Sequence, residues 1–171
     1  MERKGEVTFA GSPLTVLGPK LAPGDAAPDF LLLANDLSPV TLKDSAGKVR
    51  LISAVPSLDT GVCDIQTRRF NEQIDAFGDN VIGYTVSADL PFAQARWCGA
   101  AGVTRMKTLS DHRDMGFGDA WGTHIAELRL EQRAVFVVDG AGIIRHAEYV
   151  GEITTQPDYD AALACVKQLA G

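Results

Sequence analysis

Apolar runs of strand length alternate with helix-like stretches along most of the chain. Residues 49–55 are apolar except for Arg50 and Ser53, and residues 81–87 form a second, mainly apolar run. Continuous apolar segments of this length are typical of strands that are covered on both faces. The pattern therefore predicts two buried strands near the centre of a sheet.

Helical periodicity appears between these two strands. Phe70, Ile74 and Phe77 recur at spacings of four and three residues. Such spacing places apolar side chains on one face of a helix. We expect this helix to begin near Cys63, directly after the first buried strand.

Start signals predict two more helices. Asp89 and Pro91 open a helix that runs towards Cys98, because Asp is a frequent N-cap and Pro fits the first turn. Thr155 and Asp158 have the spacing of a capping box, which predicts the start of a last helix.

Two hairpins complete the pattern. Residues 6–9 and 14–17 flank a Gly-Ser-Pro turn near the N-terminus, and residues 134–138 and 143–150 flank an Asp-Gly-Ala-Gly turn. Alternating strands and helices with a late hairpin predict an α/β fold on a mixed sheet. The length fits one domain over residues 1–171.

Composition and charge narrow the function classes. Apolar residues make up 46% of the chain, the formal net charge is −6, and no long basic cluster occurs. These values argue against binding to nucleic acid or to an anionic membrane. No secretory signal and no apolar stretch of bilayer length are present, so a cytoplasmic protein is expected.

The cysteine pattern indicates reactive thiols. There are three cysteines and no C-x-x-C motif, which argues against a thioredoxin-type dithiol and against most structural zinc sites. The three histidines show no metal-ligand spacing. We expect no metal and no other cofactor.

One short motif stands between the first buried strand and its helix. Pro56, Thr60 and Cys63 form the pattern P-x-x-x-T-x-x-C, with the cysteine in the first helical turn. Backbone N–H groups are unpaired at a helix N-terminus and the helix dipole is positive there. This position favours a thiolate over a thiol.

The motif resembles the active site of peroxiredoxins. Further blocks resemble the thiol peroxidase branch of that family, the atypical two-cysteine peroxiredoxins, and together they cover nearly the whole chain. These blocks are residues 57–63, 87–94, 96–99, 133–139 and 152–159. The resemblance implies a thioredoxin-like fold, with a central mixed sheet flanked by helices, and a thiol-dependent peroxidase.

A helix N-terminus alone does not ionise a thiol sufficiently. A free cysteine is only about 3% thiolate at pH 7, and about 90% ionisation requires roughly 3.4 kcal/mol. The dipole supplies at most about 2 kcal/mol, so a fixed cation is needed. Arg133 opens an apolar strand, and the resemblance implies that its guanidinium reaches the thiolate of Cys63.

The resemblance also implies the other roles. Cys63 is the peroxidatic cysteine and Cys98 is the resolving cysteine of the same chain, while Thr60 and Pro56 shape and shield the site. Hydrogen peroxide and alkyl or lipid hydroperoxides are the implied substrates. Thioredoxin is the implied reductant, and a homodimer is expected.

A disulfide between the two proposed cysteines places a demand on the backbone. It needs Cα atoms within about 4.4–6.8 Å, and cysteines in two packed helices rarely approach so closely. We expect the first turn at Cys63, the segment around Cys98, or both to unwind during turnover.

Two other functions use the same thiols. A thiol-disulfide oxidoreductase or redox sensor could use Cys63 and Cys98 without consuming peroxide. A Cys-His hydrolase needs a histidine beside Cys63, and no motif places any of the three histidines there. Cys165 matches no motif and is expected to have a packing role.

Overall fold

A computed structural model describes residues 1–171 as eleven strands, four α-helices and two short 3₁₀ segments. The strands are β1 (Glu2–Phe9), β2 (Ser12–Leu17), β3 (Leu31–Leu33), β4 (Pro39–Thr41), β5 (Val49–Ala54), β6 (Val81–Ser87), β7 (Met106–Ser110), β8 (His124–Ile125), β9 (Leu130–Glu131), β10 (Ala134–Val138) and β11 (Ile144–Tyr149). The helices are α1 (Gly61–Ile74), α2 (Pro91–Ala101), α3 (Gly116–Trp121) and α4 (Tyr159–Ala170), and the 3₁₀ segments are Leu42–Ser45 and Asp75–Asn80. None of these helices has both the length and the apolar character that crossing a membrane requires.

The central sheet has seven strands in the order β11-β10-β5-β6-β7-β3-β4. Strands β5, β6 and β7 run parallel, and the strands on either side pair antiparallel to them. The predicted α/β fold on a mixed sheet is confirmed. The C-terminal end of β5 leads into α1, which brings the start of this helix to one edge of the sheet.

Strand β5 is buried at every position, as its apolar sequence predicts. Ile52 and Ala54 belong to a core cluster that includes the aromatic residues of α3. Val49 and Leu51 belong to a second cluster, shared with α1 and α4. Both faces of the sheet are therefore covered, and polar residues in its central strands must find partners inside the protein.

The N-terminal hairpin is confirmed, and its strands are longer than the sequence pattern predicts. Strand β1 pairs with β2 from Glu2 onwards, and β2 continues into a small sheet with β8 and β9. The last two strands have only two residues each, too few for a period of two to be visible.

The predicted capping box at the last helix is wrong. The N-cap is Asp158, whose carboxylate accepts a hydrogen bond from the N–H of Ala161 at 3.0 Å. The hydroxyl of Thr155 instead donates to the carbonyl of Glu152 at 2.8 Å. The hydroxyl of Thr155 is therefore used within the turn before α4 and does not cap the helix.

A buried carboxyl group lies between β9 and α3. Glu131 is fully buried and accepts a hydrogen bond from the hydroxyl of Thr123 at 2.5 Å. Burial and the neighbouring Asp111 raise the pKa of Glu131 well above its ordinary value. Asp111 itself accepts hydrogen bonds from the N–H groups of Phe117 and Gly118. The fold therefore favours the protonated form of Glu131.

This burial predicts a specific dependence of stability on pH. The folded protein retains a proton on Glu131 that the unfolded chain releases above about pH 4.5, so stability falls as pH rises through that window. We expect Glu131→Gln to be more stable than the wild type at pH 8, by at least about 1 kcal/mol, and to show a smaller difference at pH 5. Urea unfolding at both pH values measures this.

A matched control is Glu72→Gln, which changes an exposed glutamate of α1. It should leave the pH dependence of the unfolding free energy unchanged. If the wild type and Glu131→Gln lose stability equally between pH 5 and pH 8, Glu131 is not protonated in the folded protein.

Candidate active site

Cys63 is the third residue of α1 and lies in its first turn, as the sequence pattern predicts. Thr60 is the N-cap of this helix, and its hydroxyl oxygen accepts a hydrogen bond from the N–H of Cys63 at 3.3 Å. The same hydroxyl donates to the carbonyl of Ser57 at 3.2 Å. Thr60 thus holds the loop against the helix start.

The sulfur of Cys63 is bonded to a distant arginine. Nη2 of Arg133 donates to Sγ of Cys63 at 3.3 Å, across 70 positions of sequence. Arg133 is 1% exposed and Cys63 is 0% exposed. Arg133 directly precedes β10, whose Ala134 pairs with Ala54 at the end of β5. This pairing brings the arginine to the strand end from which α1 begins.

Three other hydrogen bonds fix the guanidinium. Nε and Nη2 of Arg133 both donate to the carbonyl of Ile153, at 3.1 and 2.7 Å. Nη1 donates to Oε1 of Gln66 at 2.8 Å. The amide of Gln66 in turn donates to the hydroxyl of Ser53 at 2.6 Å. The arginine is therefore held from α1, from β5 and from the loop after β11.

No carboxylate balances the charge of Arg133. Its guanidinium takes part in no salt bridge, and its neutral partners are a carbonyl and a side-chain amide. A buried cation without a counterion is costly, so buried charges are normally paired. Among the hydrogen-bond partners of this guanidinium, the Cys63 thiol is the one group that can ionise.

Pro56 lies in the same loop as Thr60 and is buried, whereas Thr60 is exposed. The structure thus brings together four of the five predicted site residues. The fifth, Cys98, lies on α2, where its sulfur is hydrogen-bonded to the hydroxyl of Thr108 at 3.2 Å. Cys63 and Cys98 are not joined by a disulfide.

Two residues that help to hold Arg133 are not among the site residues predicted from the sequence. Gln66 is fully buried and follows Cys63 by three positions, on the inward face of α1. Ser53 interrupts the apolar run of β5. In both cases a polar residue stands at a position that faces the apolar core. Such a residue needs a buried hydrogen-bond partner, and this was the signal in the sequence that could have identified both residues.

The predicted role of Asp89 as a helix cap is wrong. The N-cap of α2 is Leu90, and no side chain caps it. The carboxylate of Asp89 accepts instead from the hydroxyl of Ser57 at 2.7 Å and from the N–H of Leu58 at 2.8 Å. It also accepts from the hydroxyl of Ser87 at 2.7 Å. Ser57 and Leu58 belong to the loop that carries Pro56 and Thr60, so Asp89 is bonded to this loop.

The remaining cysteine and the histidines lie outside this arrangement. Cys165 lies on α4 and packs at the edge of the core, where burial raises the pKa of its thiol. His124 is hydrogen-bonded to Asp119 at 2.7 Å, and no histidine is hydrogen-bonded to Cys63. The residues around the sulfur do not form the pair that a Cys-His hydrolase requires.

Sequence comparison places this chain in a known family. Residues 22–163 match the family described as Redoxin. The chain belongs to the Redoxin family. It is 59% identical over 161 residues to a thiol peroxidase of Halalkalibacterium halodurans, a match that covers 94% of this chain and 96% of that protein. It is 56% identical over 164 residues to a thiol peroxidase of Bacillus subtilis, covering 96% and 98%.

These relatives identify the chain as a peroxiredoxin of the thiol peroxidase branch and hence as a thiol-dependent peroxidase. A peroxiredoxin-like protein from Aquifex aeolicus superposes with a TM-score of 0.89 at 36% identity, covering 98% of this chain and 99% of that one. A thiol peroxidase from Chromobacterium violaceum has the same fold, with a TM-score of 0.86 at 21% identity and coverage of 95% of both chains. The thioredoxin-like fold is confirmed.

The unpaired charge of Arg133 predicts the effect of a carboxylate at position 66. Gln66→Glu hardly changes the size of the side chain. It places a carboxylate where Nη1 of Arg133 now contacts the amide oxygen of Gln66, so the guanidinium gains a counterion besides the sulfur of Cys63. Competition for that charge weakens the support for a Cys63 thiolate. We expect peroxide consumption at pH 7 to slow by about tenfold or more.

Gln73→Glu makes the same charge change on an exposed part of α1 and is the matched control. Stopped-flow peroxide consumption under single-turnover conditions compares the two variants. If both variants react as fast as the wild type, the charge of Arg133 does not support the reactive sulfur.

Proposed function

We propose that the enzyme reduces hydrogen peroxide and organic hydroperoxides, both alkyl and lipid, with Cys63 as the peroxidatic cysteine. The contact between Arg133 and the buried sulfur carries this proposal, because it couples an otherwise unpaired cation to a nucleophile. We also propose that residues 1–171 act as a single domain in the cytoplasm, where free thiols persist.

In the first step, the Cys63 thiolate attacks one peroxide oxygen. Cys63 becomes a sulfenic acid, and the other oxygen leaves as water or an alcohol after taking up a proton. A guanidinium has five N–H donors. Nε of Arg133 uses one, Nη1 uses one and Nη2 uses two, so one N–H on Nη1 remains for a peroxide oxygen.

The loop residues set the geometry of this step. Thr60 fixes the first turn of α1 through its two hydrogen bonds. Pro56 is buried beside the end of β5 and has no N–H that would compete for the substrate. We assign Thr60 and Pro56 to holding and shielding the reacting sulfur.

In the second step, Cys98 resolves the sulfenic acid. Its thiol attacks the sulfur of Cys63, a disulfide forms within the chain and water leaves. Cys98 borders an open groove of about 440 Å³ between α2, the β3–β4 turn and β7. A protein thiol can approach from that side, and we propose that thioredoxin reduces the disulfide through a mixed disulfide.

A thiol-disulfide oxidoreductase or redox sensor would use the same two cysteines without peroxide turnover. A coupled assay separates the two functions. With thioredoxin, thioredoxin reductase and cumene hydroperoxide, a peroxidase consumes NADPH in proportion to the peroxide added. An exchange protein shows no dependence on peroxide.

Substitution of each cysteine should give a different result. Cys63→Ser should abolish peroxide reduction with any reductant, because the nucleophile is lost. Cys98→Ser should complete one turnover and then stall with thioredoxin, while a small thiol partly restores cycling. Cys165→Ser should be near neutral, since its thiol takes no part. Equal losses in all three variants, or activity in Cys63→Ser, would contradict these roles.

We propose a homodimer that packs around the active-site edge. Leu90 and Phe92 at the start of α2 are 52% and 67% exposed, and Asp89 ties this segment to the active-site loop. Ile65, two residues after Cys63, is also 53% exposed. Apolar groups exposed around one site mark an association surface.

Phe92→Asp should therefore give a monomer in light scattering, where the wild type has twice the chain mass. The control is Leu128→Asp. Leu128 is also apolar and exposed (42%) but is not one of the residues assigned to the interface, so this variant should remain dimeric. A dimer that persists in Phe92→Asp excludes this segment from the interface.

A further inference from the structure

A hydrogen-bonded network joins the two helices that carry the proposed peroxidatic and resolving cysteines. Asp64, the residue after Cys63, accepts from the indole N–H of Trp97 at 2.9 Å. Trp97 is the residue before Cys98. The other carboxylate oxygen of Asp64 accepts from Nε of Arg68 at 2.9 Å. Each end of the network is thus one residue away from a cysteine.

Arg68 connects α1 with α2 in two further ways. Its guanidinium carbon lies 5.7 Å from the centre of the Trp97 ring, within the range of a cation–π contact. Its Nη1 donates to the carbonyl of Ala101 at 3.1 Å, in the last turn of α2. The carbonyls of a last helical turn have no partner within the helix, so this bond fastens the end of α2 to α1.

Trp97 is also packed against the active-site side of α1. Its partly buried side chain contacts the small apolar cluster of Val55, Leu58 and Cys63. The indole is therefore held by packing on one side and by the Asp64 carboxylate at its N–H. Displacement of either helix segment must break this hydrogen bond.

The two sulfurs are directed to separate partners. Cys63 contacts Arg133, which precedes β10, and Cys98 contacts Thr108 of β7. These strands are three positions apart in the sheet, which corresponds to roughly 14 Å. A disulfide replaces both contacts with an S–S bond and requires Cα atoms within about 7 Å, so each sulfur must leave its present partner before the bond forms.

We propose that Asp64, Trp97 and Arg68 form a latch that sets how the Cys63 sulfenic acid divides between two reactions. This inference rests on the proposed roles of Cys63 and Cys98. When the latch opens, the Cys98 thiol attacks the sulfenic sulfur, the disulfide forms and water leaves. While the latch is closed, a second peroxide transfers one oxygen to the sulfur, which gives a sulfinic acid and leaves water or an alcohol.

The latch acts after the first chemical step. Neither Asp64 nor Arg68 is hydrogen-bonded to the sulfur or to Arg133. Removing their interaction should speed disulfide formation and leave the attack on peroxide unchanged. The latch residues are positioning residues, which determine the rate at which Cys98 reaches its target.

Asp64→Asn and Trp97→Phe test the latch in two independent ways. The asparagine still accepts from Trp97 but loses the ion pair with Arg68, and the phenylalanine lacks the N–H that Asp64 accepts. Asp160→Asn is the matched control, because it removes the carboxylate of an exposed residue of α4 that pairs with Arg69 of α1, the neighbour of Arg68. Rapid quench with mass spectrometry follows sulfenic acid, disulfide and sulfinic acid after a peroxide pulse.

We expect disulfide formation to be about fivefold to tenfold faster in both variants. The sulfinic acid formed per turnover should fall by the same factor. The first step in Asp64→Asn should remain within about twofold of the wild type, and Asp160→Asn should behave as the wild type throughout. A general loss of folding would slow the first step as well. A changed ratio of disulfide to sulfinic acid, at an unchanged rate of the first step, is therefore specific to the latch.

An unchanged ratio of disulfide to sulfinic acid in both variants overturns the latch and leaves the proposed function intact. A slower first step in Asp64→Asn also overturns it, since Asp64 would then act on the reactivity of Cys63. If the wild type forms no disulfide between Cys63 and Cys98, the resolving role of Cys98 fails and the latch fails with it.

Discussion

The candidate active site is built around a buried guanidinium that has no carboxylate partner. Arg133 is fixed by a backbone carbonyl and by the amide of Gln66, and neither group neutralises its charge. A cation held in this way stabilises an anion far more inside a protein than in water. The Cys63 sulfur is the group placed to carry that anion. The proposed attack of Cys63 on peroxide depends on this pairing.

The fold creates the pairing by joining elements that are distant in sequence. Strand β5 delivers the loop and the start of α1, while β10 pairs antiparallel with β5 and delivers Arg133 to the same edge. Gln66 on α1 and Ser53 on β5 form a polar bridge across the otherwise apolar interface. Asp89 ties the loop to the segment before α2. The sheet thus fixes the arginine, and the loop after β5 and the start of α1 bring the sulfur to it.

Local signals in the sequence predict most of this arrangement. The apolar run of β5 followed by helical periodicity places Cys63 in a first turn, because both patterns are set by neighbouring residues. The contact with Arg133 spans 70 positions, and without the family resemblance no local pattern would have specified it. The carbonyl of Ile153 has no side-chain signal at all. At Asp89 the local signal of a helix cap was outweighed by donors from the active-site loop, which only the tertiary structure supplies.

The most direct test is the rate at which Cys63 reacts with iodoacetamide at pH 6 and at pH 9, in a protein whose other two cysteines are replaced by serine. The thiolate is the reacting form, so the ratio of the two rates reports its population. If Arg133 and the helix start hold the sulfur ionised, the rate at pH 6 stays within about threefold of the rate at pH 9. A free cysteine loses roughly a hundredfold or more over that range, and a loss of that size would contradict the account.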